Sequence, residues 1–339
     1  MQRFSPQEFL FHAQKQAVID VRSPKEFAQG HILTAYNMPL FSDEERAVVG
    51  TLYKQQGKEM ALLKGLDFVG VKMSAFIKQA LKIAPNKQIL LHCWRGGMRS
   101  ESVAMLLQYA GFEVNLLKGG YKAYRQYVLE SFAQPYILQV LGGKTGVGKT
   151  EILKELEKLG EQVLDLEGIA SHKGSAFGHL AQAPQPTVEQ FENALFHQFM
   201  ACDFERPIWV ESESRSIGRV FIPQDFWEKM ETAAFFLVEM PENLRIERLV
   251  KEYAAADSAE IEVCLEKISR KLGGVAYQQA LTAFREGDAS MATEIVLHYY
   301  DKTYQHSQTK RQAKERFCLE MNENSPQKAA IALQEMAKL

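Results

Sequence analysis

Two short stretches combine residue types whose chemistry is specific. The first is Leu91-His92-Cys93-Trp94-Arg95-Gly96-Gly97-Met98-Arg99-Ser100. The apolar run Ile89-Leu90-Leu91 leads into it, and Val103, Leu106, Leu107 and Ala110 recur behind it at helical spacing. Cys93 is therefore expected between a strand and a helix N-terminus, where unpaired backbone N–H groups and the positive end of the helix dipole favour a thiolate. Gly96 and Gly97 let the loop curl with its amides inward, and Arg99 supplies a forked guanidinium suited to a tetrahedral oxyanion. With Trp94, Arg95 and Met98 completing the loop, the stretch reads as a nucleophilic sulfur that attacks or carries a phosphate-like group. His92, at the strand end, either packs or tunes Cys93.

The second stretch, Gly143-Lys144-Thr145-Gly146-Val147-Gly148-Lys149-Thr150, is a full G-x-x-x-x-G-K-[ST] match. The apolar run Tyr136 to Leu141 feeds it, and Ile152, Leu153 and Leu156 mark one face of a helix behind it. The amides of Gly146 and Gly148 would cradle phosphates, Lys149 would neutralise the terminal ones, and the Thr150 hydroxyl would bind Mg²⁺. Such a loop needs an acid at the end of a neighbouring strand. Ile208-Trp209-Val210 leads to Glu211, with Glu213 two residues on, and either can be the metal acid. Val163-Leu164-Asp165 offers another strand-end carboxylate, followed by a stretch with Gly168, Gly174 and Gly178 that either closes over a ligand or forms a surface turn. Arg245 and Arg248, one helical turn apart, face phosphates as a lid or are solvated, and Arg215 joins them as a lid or nucleic-acid contact. Lys310, Arg311, Lys314 and Arg316 are expected on one helical stretch, as nucleic-acid-contact candidates.

The elements that position these loops must belong to more than one core, because 339 residues exceed a typical single domain. The boundary is expected near Pro135, giving an α/β domain over 1–134, a P-loop α/β core over 135–240, and a part over 241–339 that is helical to the end. Hydrophobic content of 46% and charged content of 24% are ordinary for a soluble globular protein. No apolar run approaches a membrane span and the N-terminus has no signal-peptide core, which places the chain in the cytoplasm. Cys93, Cys202, Cys264 and Cys318 form no C-x-x-C pair, against a zinc site or disulfide framework, and the last three read as core residues. The net charge of −2 does not advertise nucleic-acid binding, but residues 1–134 carry 17 Lys and Arg against 11 Asp and Glu, enough to permit it.

Asp20-Val21-Arg22-Ser23-Pro24-Lys25-Glu26-Phe27, Gly30-His31-Ile32, the Cys93 loop and Leu116-Leu117-Lys118-Gly119-Gly120-Tyr121 together resemble the rhodanese domain. The resemblance implies that Asp20, Arg22 and Glu26 brace loops near the active cysteine; as turn and capping residues they would look the same. Five residues separate Cys93 from Arg99, one more than in an ordinary rhodanese loop, which suits a group larger than sulfane sulfur, such as selenium from a phosphate analogue. The stretch also satisfies H-C-x-x-G-x-x-R-S, the signature of cysteine-dependent phosphatases, although no general acid for a leaving alkoxide stands out. Residues 40–70 form a polar, helix-prone insertion expected at the site's rim.

The order of the two motifs, with Glu45-Arg46-Ala47-Val48-Val49-Gly50-Thr51 and Val210-Glu211-Ser212-Glu213-Ser214-Arg215, resembles the tRNA 2-selenouridine synthases over most of the chain. The family implies replacement of sulfur by selenium from selenophosphate at the wobble 2-thiouridine of tRNA anticodons. It also implies geranyl transfer from geranyl diphosphate to that sulfur, and a selenophosphate-producing enzyme as partner. The P-loop would then hold the diphosphate while the uridine sulfur attacks the geranyl carbon, and Cys93 would take the selenium and present it to C2. A nucleotide-regulated phosphatase, or a P-loop kinase with a rhodanese-like binding module, are the readings from other classes.

Overall fold

The computed structural model describes residues 1–180, 182–254 and 257–338, with backbone alone at 305–310. Two compact units emerge, Met1–Ser131 with Glu192–Ala194, and Phe132–Phe191 with Leu195–Leu339. Each is built on a five-stranded, all-parallel sheet with helices between its strands, the α/β class expected from the sequence.

The first unit runs β1 (Arg3–Phe4), α1 (Pro6–Ala13), β2 (Ala17–Asp20), α2 (Pro24–Gln29), β3 (Ala35–Asn37), α3 (Asp43–Gln55), α4 (Lys58–Gly70), α5 (Met73–Ile83), β4 (Gln88–His92), α6 (Met98–Tyr109), β5 (Glu113–Leu117), α7 (Gly120–Ser131). Its strand order is β1-β5-β4-β2-β3. Ile19, Ile89, Leu91, Val114 and Leu116 bury one face of the sheet against Val103, Ala104 and Leu107 of α6. The insertion over 40–70 is helical, and α3 opens on a capping box between Ser42 and Glu45. It is less polar than expected on its outside, since α4 exposes Leu62, Leu63 and Leu66.

The second unit continues β6 (Leu138–Gly143), α8 (Lys149–Lys158), β7 (Gln162–Leu164), α9 (Leu166–Ala170), α10 (Val188–Phe199), β8 (Ile208–Glu211), β9 (Ser216–Ile217), β10 (Val220–Phe221), α11 (Gln224–Thr232), β11 (Ala234–Glu239), α12 (Glu242–Tyr253), α13 (Ser258–Leu272), α14 (Gly274–Arg285), α15 (Ala289–Lys310), β12 (Arg316–Glu320), α16 (Pro326–Met336). Its main sheet has the order β12-β11-β6-β8-β7. The predicted apolar face of α8, Ile152, Leu153 and Leu156, packs with Leu141, Trp209 and Phe236. A second cluster, with Phe177, Leu180, Leu265, Ile268 and Leu281, joins α13 and α14 to the loop after α9.

The C-terminal part departs from the expected all-helical pattern, because β12 pairs in parallel with β11 along Phe235–Glu239. It is an edge strand whose Phe317 and Leu319 turn to the core while Arg316, Cys318 and Glu320 are exposed, a period of two that a five-residue run barely advertises. The basic cluster is accordingly split: α15 ends at Lys310, Arg316 sits in β12, and Arg311 is buried against Glu231 at 3.1 Å and the Phe235 ring. The side chain of Lys310 lies outside the described residues. Of the three presumed core cysteines only Cys264 is buried; Cys202 is half-buried and Cys318 exposed. Among the described residues no helix is long and apolar enough to cross a membrane.

Candidate functional site

In the first unit, β4 delivers Cys93 to the carboxyl edge of the sheet, and Gly97 begins α6 without a side-chain cap. The first-turn amides of α6 thus face the loop with their partial positive charge. Cys93 is 97% covered, and its sulfur lies 3.2 Å from the Ser100 hydroxyl, which itself donates to the Gly97 carbonyl at 3.0 Å. The opposite wall is the start of α7. Tyr121 and Lys122 donate backbone N–H groups to the carbonyls of Cys93 and Trp94, both at 2.9 Å, so those carbonyls turn away from the loop interior. Gly96 and Gly120 both have positive φ (66° and 64°), and a Cβ on Gly120 would stand 2.4 Å from the Gly96 nitrogen. Backbone presses on backbone there, which only glycine permits.

Arg99 does not hang free into the loop. Glu26 accepts from it through both oxygens, at 2.7 and 3.3 Å, and Glu26 is itself fixed as the capping-box residue of α2, with Arg46 of α3 at 3.9 Å. Burial works against the charge of Glu26, but Arg99, the Ser23 amide and Arg46 outweigh it and keep the carboxyl ionised below its ordinary range. Asp20 and Arg22 form a buried forked pair, with Arg22 3.6 Å from the centre of the Tyr121 ring. The residues that the rhodanese resemblance named as braces therefore do brace: Glu26 holds Arg99, and Asp20–Arg22 supports Tyr121 beside the loop. His92 is fully buried, stacked near Tyr121, and burial keeps its ring neutral against the pull of Asp20, 3.7 Å away. Of its two readings, packing is the one the structure takes.

In the second unit, β6 ends in the P-loop and α8 starts at Lys149 behind Gly148, whose φ is 85°. Lys149 Nζ donates to the Gly143 carbonyl at 3.2 Å. Burial disfavours its charge, but Tyr304, Glu167, Glu213 and Glu211 more than compensate and raise its pKa. Thr150 Oγ1 donates to Glu167 Oε2 at 3.3 Å, and Glu211 Oε1 accepts from the Glu167 amide at 2.6 Å. Glu211 lies at the end of β8, paired with Leu141 of β6, where a metal acid was expected. Burial, then the charges of Asp165 and Glu167, push its pKa well up. Burial against Glu167 lifts Glu213 to about 8 despite Lys149. The other oxygen of Glu211 is buried with no hydrogen-bond partner. Thr150, Glu167, Glu211 and Glu213 all offer oxygen, the ligand type that Mg²⁺ takes, and are the residues here that could hold one.

Two of the three arginines lie against the P-loop. Arg245 is buried, donating to the Thr145 carbonyl at 3.1 Å and to both oxygens of Asp301 on α15 at 2.9 and 2.8 Å. Asp301 also holds Lys144 at 3.4 Å, and the Gly143 amide donates to the Tyr304 hydroxyl at 2.6 Å. Arg248 pairs with Glu151 at 2.7 Å and lies against Gly148, where a Cβ would meet its guanidinium carbon at 2.4 Å. Arg215 is exposed in the loop between β8 and β9, apart from these contacts. The glycine stretch over 168–178 is packed rather than a free turn: Gly174 approaches Glu213, and the Ala176 amide donates to Tyr300 at 3.1 Å.

Next to the P-loop lies a cavity of about 270 Å³ that reaches it at Thr145 and is walled by Phe177, Leu249, Leu265, Val296 and Leu297. Its lining is overwhelmingly hydrocarbon. Neither this cavity nor Glu167, Asp301 and Tyr304 was picked out from the sequence, and Ser100 entered only as the last residue of the H-C-x-x-G-x-x-R-S signature. Glu167 stands two residues past Asp165, and the strand-end reading stopped at Asp165.

Comparison with known proteins adds an independent line. Residues 136–334 match the family model described as the tRNA 2-selenouridine synthase AAA domain, and residues 5–127 match the rhodanese-like domain. A tRNA 2-selenouridine synthase of Hydrogenovibrio crunogenus is 36% identical, covering 88% of this chain and 90% of its own. Its counterpart in Nitrosomonas eutropha is 33% identical over 87% and 89% of the two chains, and that of Sulfurovum sp. 35% over 85% and 87%.

Proposed function

The chain belongs to the tRNA 2-selenouridine synthase family, and from that premise we propose that it replaces the sulfur of a wobble 2-thiouridine in tRNA by selenium, through an S-geranylated intermediate. The observation that carries the finer part is the apolar cavity beside a P-loop. A nucleotide presents a polar base and ribose at that place, whereas a geranyl diphosphate presents hydrocarbon. Burying each CH₂ is worth about 0.8 kcal/mol, so an apolar slot favours the isoprenoid.

Lys149 and the P-loop amides hold the diphosphate, and the cavity holds the chain with its first carbon at the mouth. The uridine sulfur attacks that carbon, the C–S bond forms, the C–O bond breaks, and diphosphate leaves onto Lys149. Thr150 with Glu211, Glu213 and Glu167 would hold Mg²⁺, which when bound supplies further charge to the departing diphosphate. Selenophosphate then sits in the Cys93 loop. Its phosphate part meets the amides of α6 and Arg99, and the Cys93 sulfur attacks phosphorus: the S–P bond forms, the P–Se bond breaks, the released selenide adds to C2 as the C2–S bond breaks and the geranyl thiolate departs, and water then takes the phosphoryl group from Cys93 as inorganic phosphate. The carbonyls of Cys93 and Trp94 are tied back to α7 and the Ser100 hydroxyl can turn its proton to the Cys93 sulfur, which supports the loop as a receiver of anions.

The test is nucleoside mass spectrometry after incubating the protein with 2-thiouridine tRNA, geranyl diphosphate, Mg²⁺ and selenophosphate. The wild-type protein is expected to yield 2-selenouridine, and Cys93→Ala only the S-geranyl nucleoside. Loss of geranyl transfer in a folded Cys93→Ala protein contradicts the division of labour, and unchanged 2-thiouridine with the wild-type protein contradicts the activity.

A further inference from the structure

We propose that α15 measures the isoprenoid chain and that Ala292 sets its length at about ten carbons; this rests on reading the cavity as the isoprenoid site. The helix is uninterrupted from Ala289 to Lys310. One end of its scale is fixed at the P-loop, because Asp301 holds Lys144 and Arg245 there and Tyr304 takes the Gly143 amide. From that level towards the N-terminus of α15, the residues facing the cavity are Tyr300, Leu297, Val296, Thr293, Ala292 and Ala289. At a rise of 1.5 Å per residue, Val296 stands about 6 Å and Ala292 about 12 Å from Tyr300 along the axis.

Chain length maps onto that scale. An extended chain advances roughly 1.2 Å per bond, since three backbone bonds span 3.3–3.6 Å, so a geranyl group with its C–O bond reaches about 10 Å, to the level of Thr293 and Ala292. On the same measure a five-carbon dimethylallyl group stops at about 5 Å, beside Val296, and a fifteen-carbon farnesyl group runs to about 14 Å, past Ala292. The side chains agree with this division. Tyr300, Leu297 and Val296 are bulky where every chain must pass, while Ala292 is small and 93% covered where a ten-carbon tail ends, with Phe284 of α14 in the same lining. A larger residue at 292 occupies the tail's place, and a smaller one at 284 extends the room beyond it.

The experiment compares kcat/KM for S-alkylation of 2-thiouridine tRNA with dimethylallyl, geranyl and farnesyl diphosphates. Ratios within one variant are read, which cancels any loss of folded protein. Wild-type protein should prefer geranyl. Ala292→Leu should lower geranyl against dimethylallyl by at least about tenfold, the discrimination of one methylene in an apolar pocket. Phe284→Ala, which needs no overpacking to be accommodated, should raise farnesyl against geranyl by a similar factor. Geranyl preference in the wild type with both ratios unmoved in the variants overturns the ruler and leaves the isoprenoid site standing. Equal use of the three chains by the wild type also overturns it. Use of none overturns the reading of the cavity itself, and the ruler with it.

Discussion

Glu213 sits between Glu167 and Lys149 and binds its proton up to about pH 8, because burial and the neighbouring carboxylate both penalise its charge. In the unfolded chain a glutamate ionises near pH 4.3. Its folded pKa is raised, so the folded protein holds a proton between these values that the unfolded chain has released. The associated stability is complete below the unfolded value and is lost as pH rises through about 8. The metal-free protein should therefore melt at falling temperature from pH 5 to pH 8, and Glu213→Gln, which keeps the neutral shape, should flatten that slope. Parallel slopes for the two proteins in a thermal-shift series would place the titration elsewhere. Reading Glu213 as a metal acid needed only its distance from an apolar strand; its pairing with Glu167 did not follow, because Glu167 belongs to α9 and reaches the site through folding.

At the scale of elements, the loops themselves were legible and their supports were not. Strand, glycine and helix succeed one another within ten residues around Cys93 and around Gly143, so local pattern suffices. Asp301 and Tyr304 lie 157 and 161 residues beyond Lys144 and Gly143, inside a helix whose tyrosines and charges resemble any solvated face. The same limit hid the partners of Arg245 and Arg248, which helical spacing sets one turn apart and which pair with Asp301 and Glu151 beside the P-loop. β12 was missed for a related reason: its register comes from β11, not from its own sequence. The Arg245–Asp301 pair makes a prediction for α15 as an element. Arg245→Met leaves Asp301 covered with only Lys144 beside it, and removing one partner of a buried pair costs about 3 kcal/mol. Urea unfolding of the variant should show a loss of that order together with weaker geranyl diphosphate binding. A change below about 1 kcal/mol would show that Lys144 satisfies Asp301 alone.

Over the whole molecule, the proposed chemistry divides into two reactions in two units, linked by a modified tRNA rather than by a shared transition state. Two proteins each lacking one reaction should then complement each other. Lys149→Ala, which cannot hold the diphosphate, mixed with Cys93→Ala, which cannot release selenide from selenophosphate, is expected to restore 2-selenouridine that neither makes alone. Mass spectrometry of the tRNA nucleosides decides it: no product from the mixture, with each variant retaining its own half-reaction, would mean that the intermediate never leaves the chain that made it. The basic balance of residues 1–134 suits such a tRNA ligand, although the charge pattern by itself was equally compatible with a solvated surface.

The meeting of Gly96 and Gly120 bears on how the Cys93 loop works. A contact between two backbones has no rotamers through which to relax, and both strands of it are tied again by the amides of Tyr121 and Lys122. The amide cradle is therefore rigid before any ligand arrives, and an incoming anion does not have to order it. The entropy of organising that receptor is spent when the chain folds, so in the proposed reaction binding energy remains for orienting the selenium against the carbon it must reach.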